Sequence, residues 1–102
     1  MPVTISVRKP KFELGEVVGT PGAAEFLLSN DCTASGLLWS HQRGIWGDLS
    51  DADKAANDAA LLDGSRILSS YKVGDGKVWI ITEGVNDDGK RERTTVLLAD
   101  EY

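Results

Sequence analysis

Two Asp-Gly pairs, Asp75-Gly76 and Asp88-Gly89, divide the back of the chain into three apolar runs of strand length, RILSSYKV, VWIITE and RTTVLLAD. Glycine reaches positive φ without steric cost, and Asp-Gly between β-rich runs is among the strongest local signals for a hairpin. Two such signals in succession predict a three-stranded antiparallel meander over 66–98. Alternation is strong in the outer runs and weak in VWII, which predicts that the middle strand is central and buried on both faces.

The front half has a different period. Thr20 followed by Pro21 gives a cap residue and a proline at the first helical position, so a helix is expected from 21 to about 29 with Ala24, Phe26, Leu27 and Leu28 as its apolar content. Asn30 and Asp31 break it. Thr33 or Ser35 can cap a second helix that carries Leu37, Leu38, Trp39, His41 and Gln42 and stops at Gly44. A third starts at Ser50, with Asp51 and Asp53 in the first turn where the helix dipole favours acids, and ends at Gly64. Phe12, Leu14, Val17 and Val18 read as a short extended lead-in closed by Gly19. The fold expected is α+β: two to three short N-terminal helices packed on a three- to four-stranded antiparallel meander sheet.

At 102 residues the chain has room for one core, and its 41% hydrophobic and 26% charged content is that of an ordinary folded domain. The division expected is a basic N-terminal arm or edge strand over 1–11, with Val3, Ile5 and Val7 on one parity, and a single α+β domain over 12–102. The lone cysteine, Cys32, cannot close an intrachain disulfide, and no signal peptide or apolar span is present, so a cytoplasmic protein is expected. The net charge of −5 is unevenly divided: the first 12 residues hold Arg8, Lys9 and Lys11 and no acid, against 8 basic and 16 acidic residues in the rest. A body of that sign repels phosphate backbones, so direct nucleic-acid binding is not expected unless the few cations converge on one face.

No phosphate loop, dinucleotide-binding glycine pattern, paired histidines or CxxC occurs, and with His41 the only histidine no metal site or cofactor is expected. The densest polar pattern is HQRGIWGDLS, at 41–50. Its ordinary reading is structural, with Trp46 in the core and Asp48 or Ser50 satisfying amides at a helix start. Its functional reading makes Trp39, His41, Arg43, Asp48, Asp51, Asp58 and Asp63 a binding surface. The acids are equally accounted for as a solvated helix face. The three tryptophans, Trp39, Trp46 and Trp79, are expected as one cluster under the sheet, with Trp39 the best candidate for exposure as a partner anchor.

The words FELGEVVGTPGA, HQRGIWGDLS, DGSRILSSYK, VWIITE and TTVLLADEY resemble a family of short proteins of plasmids and other mobile elements, over about nine-tenths of the chain. The basic first 11 residues depart from that pattern. The resemblance implies a context in which blunting host defence is useful. With the acidic body, it leads to the expectation of a non-enzymatic anti-defence inhibitor, of the anti-CRISPR or anti-restriction type. Such an inhibitor acts by protein–protein binding or DNA mimicry, and its partner is a host defence nuclease or another protein complex. A rival expectation comes from helices preceding a meander, an order similar to that of the barnase, colicin and RelE-like ribonucleases. That reading recruits His41 as general base, Arg66 or Arg93 for phosphate, and Thr82 or Thr95 as positioning groups. A third class is a structural or regulatory subunit presenting a homodimer face.

Overall fold

The structure, a computed structural model, describes residues 2–4 and 9–102. It is an α+β fold: β1 (Glu16–Gly19), α1 (Pro21–Ser29), α2 (Ala34–Gln42), α3 (Asp51–Asp63), β2 (Ile67–Val73), β3 (Gly76–Thr82), β4 (Arg93–Leu98) and a 3₁₀ turn, Ala99–Glu101. α1 and α3 start at the expected side-chain caps, whereas α2 starts after Thr33 without a side-chain cap hydrogen bond from it. The Thr20 hydroxyl accepts from the Ala23 amide at 3.0 Å and the Ser50 hydroxyl from Asp53 at 3.1 Å. Gly64 ends α3 in the left-handed conformation that a terminal glycine supplies.

The sheet order is β1-β4-β3-β2, and β2, β3 and β4 form the expected antiparallel meander. Two details differ from expectation. The short lead-in becomes a strand, β1, that pairs with β4 in parallel, so the four-stranded sheet is mixed. In the first hairpin Val73 pairs with Gly76, leaving Gly74 and Asp75 as the two-residue loop. The positive φ falls on Gly74, at +55°, and not on Asp75 or Gly76. That is the turn class with glycine at its first central position. Gly76 instead gives room to α1: a Cβ there would lie 2.9 Å from Phe26 Cζ, so a side chain would push that ring aside.

Register fixes two faces. On the near face, Tyr71, Val73, Val78, Ile80 and Val96 form the main core with Ala23 and Leu27 of α1, and Leu37 and Leu38 of α2 pack against it. A second cluster joins Trp46, Ala60 and Ile67, with Phe12, Leu49 and Leu61 at its border. Helix α3 lies along the outer edge of β2. There the Asn57 amide donates to the Leu68 carbonyl at 2.7 Å and accepts from the Leu68 N–H at 3.1 Å, standing in for a neighbouring strand. Gly47 bridges Ser70 one step further along the same edge. A Cβ on Gly47 would sit 2.0 Å from the Ser70 carbonyl oxygen, and its φ of +80° needs glycine as well.

The tryptophans do not form one cluster. Trp46 is core, Trp39 is 47% exposed on α2, and Trp79 is half-buried on the far face against Tyr102, ring centroids 5.1 Å apart. Alternation therefore holds in β3 too: Val78, Ile80 and Thr82 are buried, while Trp79 and Ile81 are half-buried. In the N-terminal arm Val3 is exposed and in no strand, and Lys11 donates to the Gln42 carbonyl at 2.7 Å. Ile5 and Val7 of the edge-strand alternative, and Arg8 of the basic arm, lie outside the described residues.

Candidate functional site

His41 is fully buried near the end of α2, with the Phe12 ring edge-on at 5.2 Å and Trp46 at 6.1 Å. Both ring nitrogens meet hydroxyls of the near face: Nδ1 lies 2.6 Å from Ser69 Oγ and Nε2 2.8 Å from Thr82 Oγ1. Thr82 in turn meets Thr94 at 2.7 Å, and Thr94 donates to the Leu14 carbonyl at 2.7 Å. Each hydroxyl has one proton, so the directions resolve in order from that carbonyl. Thr94 spends its proton on Leu14, Thr82 donates to Thr94, His41 donates from Nε2 to Thr82, and Ser69 donates to Nδ1. The ring is the neutral Nε2–H tautomer. Burial, reinforced by the Arg91 charge, holds its pKa down to about 3.

This ladder ties α2 to β2, β3, β4 and the lead-in to β1, and it leaves no surface of His41 for a substrate. The other members of the ribonuclease set are elsewhere. Register places Arg93 and Thr95 on the far face. Arg93 pairs there with Glu16 at 3.3 Å, and Arg66 lies 5.5 Å over the Tyr102 ring. Only His41 and Thr82 of that set come together, inside the core.

The binding surface expected around 41–50 is divided as well. Trp39 and Arg43 are together: the guanidinium lies 4.5 Å over the indole and donates to the Trp39 carbonyl at 3.0 Å. Asp48 is drawn to the far side, where Lys77 at 2.9 Å and Lys72 at 3.9 Å neutralise it. The Lys77 hydrogen bond, then the Lys72 charge, lower its pKa. Asp58 accepts the Trp46 indole N–H at 3.1 Å, and Asp63 accepts the Ser65 amide at 2.8 Å. Asp51 occupies the exposed first turn of α3. Three of these acids thus have structural duties.

Two surfaces stand out that the reading of 41–50 did not contain. The far face carries half-buried Leu68, Trp79, Ile81 and Thr95, beside exposed Val18 and Tyr102, and is flanked by Arg66, Lys72, Lys77 and Arg93. Where α3 overhangs it, Leu49, Ala56, Asn57, Leu68 and Trp79 line a cleft of about 310 Å³ with Asp53 and Arg66 at its mouth. Only Trp79 and Ile81 of the VWII run could have signalled that face, and they are masked by apolar neighbours on both sides. The second is a depression of about 640 Å³ lined by Lys9, Pro10, Lys11, Arg43, Gly44 and Asp58, in which the N-terminal cations meet the end of α2. Their convergence is tertiary and has no local signature.

Among the described residues no group of three or more His, Cys, Asp or Glu is placed to hold a metal ion, and no helix is long and apolar enough to cross a membrane. No family model, curated protein or solved structure matches this chain.

Proposed function

We propose that this chain is a non-enzymatic binding domain that docks a protein partner on the far face of its sheet. The observation that carries this reading is the unequal covering of the two faces. The near face is sealed by α1 and α2, whereas among the described residues the far face is met by Tyr102, the flank of α3 and the Asp48 and Leu49 side chains of the α2–α3 connection, which bury Leu97 but leave Leu68, Trp79, Ile81 and Thr95 half-exposed. Apolar and aromatic side chains grouped on an open face, with a charged rim, are the usual anatomy of a protein contact. On the rim Lys72 and Lys77 share Asp48 and Arg93 pairs with Glu16, while no carboxylate among the described residues pairs with Arg66, so a partner with an apolar centre and an acidic group opposite Arg66 fits it.

An anti-defence inhibitor that occupies a host nuclease complex is one form of such a protein, and it is the form that the mobile-element resemblance favours. Protein contact is favoured over DNA mimicry, because Asp48 is neutralised by lysines while Asp58 and Asp63 hold Trp46 and the Ser65 turn. Mimicry needs a row of unengaged charges.

The test compares capture by the wild type with capture by Ile81→Glu and Thr95→Glu, which place charge at the centre of the face without entering the core. A host protein retained by the wild type and lost by both variants is expected, whereas Lys90→Gln in the β3–β4 connection keeps it. Retention by both charged variants, with their folds intact by circular dichroism, would place the working surface elsewhere.

A further inference from the structure

The two edges of the sheet are treated differently. Along β2 the Asn57 amide and the backbone around Gly47 take up the outward groups of Leu68 and Ser70. β1 has no such cover. Its residues EVVG are all exposed, and the outward N–H and C=O groups of Val17 and Gly19 meet no partner among the described residues. An edge of that kind is a template for another strand unless a free charge, a proline or a bulge blunts it. The one charge on β1, Glu16, is paired with Arg93 at 3.3 Å.

Register gives β1 two different faces. Val17 and Gly19 stand opposite Thr94 and Val96, on the near face, and Val18 opposite Thr95, on the far face. At Gly19 the near face lacks a side chain, and Ala23, Ala24, Leu27, Ala34 and Val96 line an apolar groove of about 130 Å³ beside the strand. Nothing within one copy requires glycine there. Its φ is not in the left-handed region, and an added Cβ would meet Val96 atoms at 3.7 and 3.9 Å, ordinary contact distances. The missing side chain matters only to something that comes from outside.

We propose that β1 pairs antiparallel with β1 of a second copy of this chain, about a two-fold axis at Val18, so that the two sheets become one. Val17 and Gly19 lie two positions apart with their backbone groups outward, and this register sets each Val17 opposite the other copy's Gly19 as a hydrogen-bonded pair. On the near face each Val17 side chain then lies over the other copy's alanine-lined groove. On the far face the two Val18 side chains meet across the axis. The register one step away, Val17 against Val17, leaves both grooves empty. A second copy is favoured over a foreign strand because this chain supplies both the gap and the side chain that fills it. The contact uses the open edge of each copy, while α3 covers the other edge, so it closes at two. Strands of four residues fall short of the roughly 800 Å² per partner of a standard interface, so the dimer is weak and the dilute chain is monomeric. Each copy carries a net charge of −5, so the dimer strengthens as salt screens the repulsion. The edge is separate from the centre of the far face and does not depend on the docking reading.

The experiment is sedimentation of the full chain from about 10 μM to about 1 mM, the range of a weak contact, with amide exchange at the same concentrations. The mass is expected to rise from 11.0 kDa toward twice that value with concentration and with added salt. The Val17 and Gly19 amides, unprotected in dilute solution, slow in proportion to the dimer formed. Val17→Pro removes an outward N–H that β4 does not use and abolishes the rise in mass. Gly19→Glu touches no β1–β4 hydrogen bond, puts a carboxylate where the other copy's Val17 sits, and abolishes it as well. Lys90→Gln leaves it unchanged. A chain that is monomeric throughout that range, a dimer that survives both Val17→Pro and Gly19→Glu, or one lost instead to Ile81→Glu on the far face would overturn the proposal. So would protection of Val17 and Gly19 that appears only when host lysate is added, because the edge then takes another protein's strand.

Discussion

His41 shows how one buried residue gives a small domain a pH dependence. Its imidazole is neutral in the folded protein because burial and the nearby Arg91 hold its pKa at about 3, whereas in the unfolded chain it titrates near the ordinary value of 6.5. The unfolded state therefore binds a proton that the folded state refuses. Stability is full above about pH 6.5 and falls as the pH drops from there toward 3, by up to about 1.4 kcal/mol per pH unit. Between pH 6.5 and about 5.5 ordinary carboxylates stay ionised, so the single histidine dominates side-chain titration there. Urea midpoints measured over that window are expected to fall with pH in the wild type and to stay flat in His41→Gln; a flat wild-type profile would contradict the buried neutral ring. Thr82→Val removes the acceptor of Nε2–H and the donor to Thr94 while keeping shape, and is expected to cost about 1–3 kcal/mol in denaturant unfolding. The lone histidine near hydroxyls and arginines was legible in the sequence as a polar group. Which way it pointed was not, because that depends on Ser69, Thr82 and Thr94 sharing one face of a sheet whose register is settled in three dimensions.

Elements set by local chemistry were the legible part of the fold. Thr20-Pro21, Ser50 and Gly64 place helix ends through hydrogen bonds within a few residues, and the hairpins follow from glycine in short turns. The parallel β1 was read only as an extended lead-in, since its four residues EVVG are exposed and their partner lies some 77 positions on. Arg91 was equally invisible. It is 8% exposed and ends in carbonyls: Nη1 donates to Ser65 and Glu83, at 2.7 and 3.1 Å, and Nη2 to Ala60, at 3.0 Å. The Ala60 carbonyl belongs to the last turn of α3, where the helix dipole favours a cation. Arg91 thereby joins the end of α3 to the β3–β4 connection. Arg91→Met keeps the stem but strands these carbonyls, and thermal unfolding is expected to show a loss of about 2–4 kcal/mol. Arg91→Lys restores charge without the planar fork and is expected to recover less than half of it. Full recovery by lysine would mean that charge alone holds the helix end.

Across the whole molecule the contacts are concentrated in one place, and stability should follow them. Strand β3 is paired along its length, with β2 over seven residue pairs and β4 over five, and its Val78, Ile80 and Thr82 are inaccessible to solvent. Among the described residues strand β1 is paired with β4 alone. The Glu16 and Thr20 amides donate to the Glu92 and Val96 carbonyls, and this phase points the N–H and C=O groups of Val17 and Gly19 away from the sheet. The two halves of the chain are thus not equally secured, although the His41 ladder and the Thr94 bond to the Leu14 carbonyl tie them together. Amide hydrogen exchange at neutral pH is expected to show Ile80 opening only with global unfolding. Val18, bonded to β4 but next to water, should exchange through a smaller local opening, and Val17 and Gly19 fastest of all. Thr94→Val cuts the tie at Leu14, so it should accelerate Val18 by a larger factor than it accelerates Ile80. Equal protection of Val18 and Ile80 would instead mean that β1 unfolds with the meander as one cooperative unit, and that the short parallel strand is as much a part of the core as the hairpins beside it.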